Sequence, residues 1–340
     1  MNVPPKTFVR VMPEDLRQFL IDLLLKVTVP ERDASIIADL MVDTDLRGVF
    51  SHGSQPICGY ARAFLTGFFN PCAQYHVVKE TSVMALIDGD GGLGHLPTHL
   101  ATSMAIQKAK SAGLSVVVTR NHAHFGSAGK YTRMIVKEGL VGFAVSGLLA
   151  RPARDPDSSV WAHWPLDNPP MSFGFPAKDG YPVILDMCSS VVDDWDVESD
   201  RFKSIFSQMP AAVFRSLGLR AATDFLSAVL GGMMMPGFRE GERKWPGAYY
   251  GACIWVIDPG LFTDAEAFKQ EVDRTTTLIG TLDPLPGYDR ATLPGGPEWE
   301  RERDYREIGI PIGEGHLTGL ESVADEVGIA VPWRRKDIRS

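Results

Sequence analysis

Apolar residues fall three and four apart near the start of the chain, at Leu16, Phe19, Leu20, Leu23 and Leu24. That spacing predicts an amphipathic helix over residues 13–26 with one buried face. Pro13, Glu14 and Asp15 open it with a proline and two acids in the first turn, where the helix dipole favours negative charge. A second helix is predicted over residues 31–45, after Pro30, with Ile36, Ile37, Leu40 and Met41 on its apolar side and an end near Gly48. The pattern then shifts to short apolar runs. Residues 83–87 read as a buried strand, as do 115–119, 140–146, 183–187 and 251–257, with a long helical pattern over 97–112 between the first two. Residues 150–170 carry no period and read as a loop. Later come a helix over 264–279, a Pro/Gly-rich stretch over 283–297, a charged helix start over 298–306 and a last helix over 318–327. No internal repeat is present, and the middle of the chain is an α/β region.

Composition narrows this picture. A chain of 340 residues with 44% apolar content can bury one large or two medium cores. Its formal charge of −8 is spread without a lysine or arginine block, so counterion-releasing contact with nucleic acid is not expected. Cys58, Cys72, Cys188 and Cys253 are scattered, without zinc-site spacing, which suits a reducing cytoplasm. The most apolar N-terminal stretch, residues 19–29, is interrupted by Asp22 and Lys26. It falls short of the roughly 20 residues of a membrane span and lacks a signal-peptide cleavage site.

Gly89-Asp90-Gly91-Gly92-Leu93-Gly94 is a literal G-x-G-x-x-G between a predicted strand and a predicted helix, the place where glycines admit a dinucleotide pyrophosphate. The acid that should end the next strand is absent; Arg120, Asn121 and His122 stand there instead, so a plain glycine turn is the preferred reading. His95 and His99, four apart, could share a helix face as metal ligands. Without a partnering glutamate, a capping or surface role is expected for them.

Two segments hold the strongest chemistry: residues 45–53, with Arg47, Ser51 and His52, and residues 121–126, with His122 and His124. An arginine suits a carboxylate, and a histidine suits proton transfer near neutral pH. Each residue also has a bland role. Arg47 could bind the last carbonyls of its own helix, Ser51-His52-Gly53 could be an ordinary turn, and His124 could be a core histidine. His122 and His124 point to opposite sides of an extended segment, so at most one faces a reaction. A serine hydrolase is disfavoured because no G-x-S-x-G elbow occurs.

Taken in order, Asp45-Leu46-Arg47-Gly48 with Ser51-His52-Gly53, Tyr60, Gly67, Asn70-Pro71, Asp88-Gly89, His124-Phe125-Gly126, Gly129, Tyr131 and the stretch from Leu185 to Ser190 resemble the malate/L-lactate dehydrogenase family of the type-2, non-Rossmann kind. The resemblance runs from about Met12 to Ile329. It implies an α/β fold with a non-Rossmann cofactor domain built on a largely antiparallel sheet, and a helical domain made from both chain ends. The expected division is residues 1–76, 77–258 and 259–340, in a homodimer with active sites near the subunit boundary. The implied activity is NAD- or NADP-dependent reduction of a small 2-oxo or cyclic 2-imino carboxylate, or oxidation of the matching 2-hydroxy acid. By resemblance, His124 is the proton donor with His52 as second candidate, Arg47 and Ser51 bind the substrate carboxylate, and His122, Ser146, Asp186, Met187, Cys188 and Arg215 face the cofactor. No metal is expected. The chain departs from the family between Asp186 and Arg215, where it is shorter. The alternative reading is therefore a relative that has lost cofactor binding and serves as a binding or structural protein.

Overall fold

The chain opens with a short strand, β1 (Phe8–Val11), and then forms α1 (Pro13–Lys26) and α2 (Glu31–Asp45) on the ranges that apolar spacing predicts. The computed structural model describes residues 3–148, 169–192, 199–239 and 244–335. The aperiodic stretch expected over 150–170 lies, apart from its last two residues, outside these. On α1 the residues Leu16, Phe19, Leu20, Leu23 and Leu24 are all buried, each contributing about 1.5–3 kcal/mol relative to exposure.

After α3 (Ile57–Leu65) the chain lays down β2 (His76–Glu80), β3 (Met84–Asp88), α4 (His95–Ala112), β4 (Leu114–His122), α5 (Gly129–Lys137), β5 (Val141–Leu148), β6 (Pro170–Phe175) and β7 (Val183–Cys188). There follow α6 (Asp200–Gln208), α7 (Pro210–Asp224), a π-helical turn at Phe225–Val229, α8 (Pro236–Arg239) and β8 (Tyr250–Ile257). The chain ends through α9 (Ala265–Gly280), α10 (Gly296–Ile308), β9 (Ile310–Gly313) and α11 (Glu314–Val327).

Seven strands form one sheet in the order β2-β3-β4-β8-β5-β6-β7. Among the described residues only β3 and β4 run parallel; the other pairings of this sheet are antiparallel. This is the largely antiparallel α/β architecture expected from the sequence, and it differs from the parallel sheet of a doubly wound dinucleotide fold. One face buries Ala85, Ile87, Val117, Ala144 and Ile254 against α4 and α5. The opposite face collects Val118, Phe143, Val145, Met171 and Cys253, with Leu219 of α7 packed on them.

A separate core is built from both chain ends. Residues of α1, α2 and α3 pack there with Tyr305, Ile310, Ile312, Leu317, Leu320 and Val323, and β1 pairs with β9 across that seam. Leu93, Leu96 and Ala123 belong to the same core. The turn before α4 and the segment after β4 therefore lie where the two cores meet.

The glycine turn at 89–94 is closed to a ligand. A Cβ at Gly91 would stand 2.2 Å from the Trp245 ring, one at Gly92 2.5 Å from Ala73 Cβ, and one at Gly94 2.4 Å from the Ala123 carbonyl oxygen. These glycines admit the protein's own neighbours instead of a pyrophosphate.

Candidate active site

Two chain reversals create the site. After α2, Gly48 takes a left-handed φ of 75°, and a 3₁₀ turn at Phe50–His52 carries Ser51 and His52. After β4, Asn121 (φ 55°) and Gly126 (φ 79°) bracket His124 in a non-repetitive stretch that leads into α5. The His52 and His124 rings then face each other with centroids 5.7 Å apart, so the structure brings together the two histidines singled out in the sequence.

α3 supplies the partner that orients His124. The Tyr60 hydroxyl lies 2.5 Å from His124 Nδ1. Burial pushes the Tyr60 phenol well above its ordinary value, so it stays protonated; it can donate to Nδ1, and the contact leaves Nε2 as the ring nitrogen for chemistry. A phenol oxygen can also accept, so the same bond persists, reversed, when Nδ1 carries a proton. Burial, followed by the charges of His52 and Lys130, depresses His124 to about 3. The ring is neutral in the free protein. His52 is lowered by burial and by Lys130; its Nδ1 lies 2.9 Å from Ser51 Oγ, and Ser51 is exposed.

Behind this pair is a polar group that the sequence reading did not identify. Lys130, the second residue of α5, is 1% exposed, and its Nζ makes no hydrogen bond among the described residues. It lies against Gly126, where an added Cβ would be 2.1 Å from Lys130 Nζ and 2.9 Å from His95 Nε2. His95 is fully buried and sits in this pocket. That corrects the capping or surface role expected for it, because the α4 N-terminus enters the seam between the two cores. His99 is only partly covered and takes no part. Asp45 is also buried: its Oδ2 accepts from Ser54 N at 2.9 Å, its Oδ1 has no partner, and burial raises its carboxyl to about 7. A Cβ at Gly53 would fall 1.9 Å from that Oδ1, which explains the glycine after His52.

Arg47 takes the helix-end position that its other reading foresaw. Its NH1 donates to Asp43 O at 2.5 Å and to Asp43 Oδ1 at 2.9 Å, and its NH2 donates to Glu302 Oε2 at 2.5 Å. Arg133 of α5 holds the other Asp43 oxygen at 2.6 Å. Burial alone would raise Asp43, but the Arg133 and Arg47 guanidiniums outweigh it and hold the carboxyl at about 2. Three of the five N–H groups of the Arg47 guanidinium are thus engaged by internal partners, the first of them its own helix's carbonyl. This ion-pair group forms one wall of a cavity of about 930 Å³, lined also by Ile184, Asp186 and Trp299.

The residues expected to face a cofactor divide into two sets. His122 is fully buried, with Nε2 2.8 Å from Thr119 Oγ1 and Nδ1 2.7 Å from the Ala123 carbonyl. Ser146 Oγ donates to the Gly251 carbonyl at 2.9 Å. Both side chains are committed within the sheet. Met187 and Cys188 are exposed at the end of β7, and Arg215 is exposed on α7. Asp186 borders the cavity and lies close to Gly129 and Arg133. Asp186, Met187 and Cys188 are the last residues of β7.

Comparison with known proteins gives this geometry its context. A family model described as malate/L-lactate dehydrogenase matches residues 11–204 and 199–321. Malate dehydrogenase of Pyrococcus horikoshii is 29% identical over 355 residues, covering 95% of this chain and 97% of its own. L-sulfolactate dehydrogenase of Methanocaldococcus jannaschii is 30% identical over 345 residues, covering 94% and 97%. The solved structure of the Pyrococcus horikoshii OT3 malate dehydrogenase superposes with a TM-score of 0.81 at 29% identity, covering 95% of this chain and 97% of that one.

Proposed function

Because the chain belongs to the malate/L-lactate dehydrogenase family, whose named members are dehydrogenases working with a nicotinamide cofactor, we propose that it interconverts a small 2-oxo or cyclic 2-imino carboxylate and the corresponding reduced acid, with His124 exchanging the proton. The observation that carries this reading is the pairing of His124 with Tyr60. A neutral histidine whose Nδ1 is held by a protonated phenol keeps Nε2 for the reacting oxygen or nitrogen and can pass through both protonation states without losing its partner.

A bound nicotinamide dinucleotide supplies or removes the hydride. We assign such a group to the exposed end of β7 and to α7. Met187 and Cys188 offer an apolar edge there, and the exposed Arg215 offers a guanidinium suited to phosphate. His122 and Ser146 have their side chains engaged within the sheet and are not assigned to the cofactor. His52 lies between His124 and the exposed Ser51, which gives the proton a route towards solvent. Arg47 fixes the Asp43 and Glu302 wall beside the site.

The test is a screen of pyruvate, oxaloacetate, 3-sulfopyruvate and piperideine-2-carboxylate with NADH and with NADPH, followed by the loss of reduced-nicotinamide absorbance. Turnover of at least one acid is expected. If neither reduced cofactor binds at millimolar concentration, judged by its fluorescence, the non-enzymatic alternative replaces this reading.

A further inference from the structure

We infer that the Lys130 ammonium receives the carboxylate of the substrate, in place of the Arg47 guanidinium, and so decides which acids this enzyme accepts. The inference rests on the oxidoreductase reading and assigns a ligand within that site.

A lysine amine buried to 1% exposure with no hydrogen bond among the described residues is a costly arrangement, since buried charges are ordinarily paired; burial and the neighbouring Arg133 charge lower it to about 7, and a bound anion favours its charged form. The carboxylates around it do not pair with it. Asp43 is held by Arg133 and Arg47. Asp45 Oδ1 is itself without a partner, and burial favours its neutral form. Asp186 lies against Gly129 and Arg133. Lys130 is also the cation whose charge reaches both His52 and His124, which places its field at the proton-transfer pair. An acid lying against His124 brings an anion into that field.

Arg47 lacks this freedom because its terminal nitrogens already make three hydrogen bonds to Asp43 and Glu302. A bidentate grip on a substrate carboxylate through both terminal nitrogens of Arg47 would compete with its partly buried ion pairs to Asp43 and Glu302. Lys130 has no hydrogen bond to give up among the described residues. The position follows from the chain: Gly126 leaves the space that the lysine tip fills, and the start of α5 adds the positive end of a helix dipole.

The experiment compares the wild type with Lys130→Met on two substrates, the acid with the highest kcat/KM in the screen above and the primary amide of that acid. Methionine keeps length and removes the charge. Because Lys130 has no hydrogen bond to lose, the variant is expected to fold, which thermal melting and reduced-nicotinamide binding check independently. The expected result is a loss of roughly 10²-fold in kcat/KM for the acid, the scale of one charge-assisted contact in a buried site, with the amide not slowed, since it loses no contact and His124 is freed of the charge that depresses it. Equal losses on acid and amide, or an unchanged preference for the acid, overturn the assignment to Lys130. A wild type that turns over no acid and binds no reduced nicotinamide refutes the oxidoreductase reading instead, so the two failures are told apart. Lys130→Gln, a second neutral variant, must reproduce the collapse of the acid-to-amide ratio; if it restores the preference, the charge is not responsible.

Discussion

Removing one oxygen atom, in Tyr60→Phe, isolates the contact on which the proton-transfer assignment depends. The ring keeps its packing against Phe69, His95 and His124, with centroids 6.3, 6.0 and 6.1 Å away, so the substitution deletes a hydrogen bond and little else. That bond is 2.5 Å long, and Tyr60 is 7% exposed, which leaves no room for water to replace the hydroxyl. Leaving a buried polar atom without its partner costs about 1–3 kcal/mol, and bonds to a charged group lie in the upper part of that range. The imidazolium form of His124 needs an acceptor at Nδ1 more than the neutral form does, so the loss falls mainly on the protonated state. At about 1.4 kcal/mol per pKa unit, the His124 titration moves down by about one to two units. Reduction of the 2-oxo acid, which draws on protonated His124, should slow by about 10- to 10²-fold at fixed pH, and its falling limb should shift to lower pH. KM should change little. The assay is the pH dependence of kcat and kcat/KM in both variants. An unchanged profile, or a loss confined to KM, refutes the reasoning.

His124→Ala should reduce turnover by about 10²–10⁴-fold, the usual contribution of a positioned acid–base group, while fluorescence titration with reduced nicotinamide stays at wild-type affinity; full activity would remove His124 from the reaction. Gly53→Ala forces a Cβ to within 1.9 Å of Asp45 Oδ1 and should cost about 1–3 kcal/mol of stability as overpacking, read as a lower urea midpoint; an unchanged midpoint would show that Asp45 can move freely. Burial lowers His122 and His316 to about 4, against roughly 6.5 in an unfolded chain. The unfolded state therefore binds more protons in that window, and stability should fall as pH drops from about 6.5 towards 4, by up to ~1.4 kcal/mol per pH unit for each group. Asp45, raised to about 7, acts with the opposite sign over an overlapping range, its contribution being lost as pH rises. His316→Gln should flatten the acid slope in urea titrations stepped through the window; an identical slope would show that His316 does not titrate on unfolding.

The helices of the first core were legible because each has one wet and one dry face. The apolar spacing from Leu16 to Leu24 leaves little choice of register, and α1 and α2 keep their predicted bounds. β2 was not legible: all five of its residues are exposed, so no alternation of apolar and polar positions marks it. β6 begins at a proline and includes Gly174, signals that read as a break. The strand predicted at 115–119 runs on to His122, because β8 pairs past a register shift between Thr119 and His122. In the site, His52 and His124 were visible as chemistry next to glycines, whereas Tyr60 carried no assigned role and became important only through the fold of α3. Lys130 reads in the sequence as an ordinary helix residue; its meaning lies in burial, which no local pattern encodes. Arg47 is the instructive case, because the same helix-end position that suggested a substrate ligand also supplies the Asp43 carbonyl and carboxylate that occupy it.

Two groups of charges flank the start of α5, and they differ in completeness. Asp43, Arg133, Arg47 and Glu302 satisfy one another and tie α2 and α5 to α10, joining the middle of the chain to its end in a fixed wall. Lys130, Asp45 and His95 leave donors and acceptors unmade, and a partly satisfied buried network is costly to maintain. Such a deficit is tolerable where a ligand removes it. An anion at Lys130 offsets the positive charge that depresses His52 and His124, so binding the acid raises the proton affinity of the histidine that must carry the proton. By linkage, a proton on His124 must favour the bound acid by the same amount. The site thereby couples recognition of the carboxylate to the protonation that reduction requires, and a neutral analogue of the same shape would gain neither.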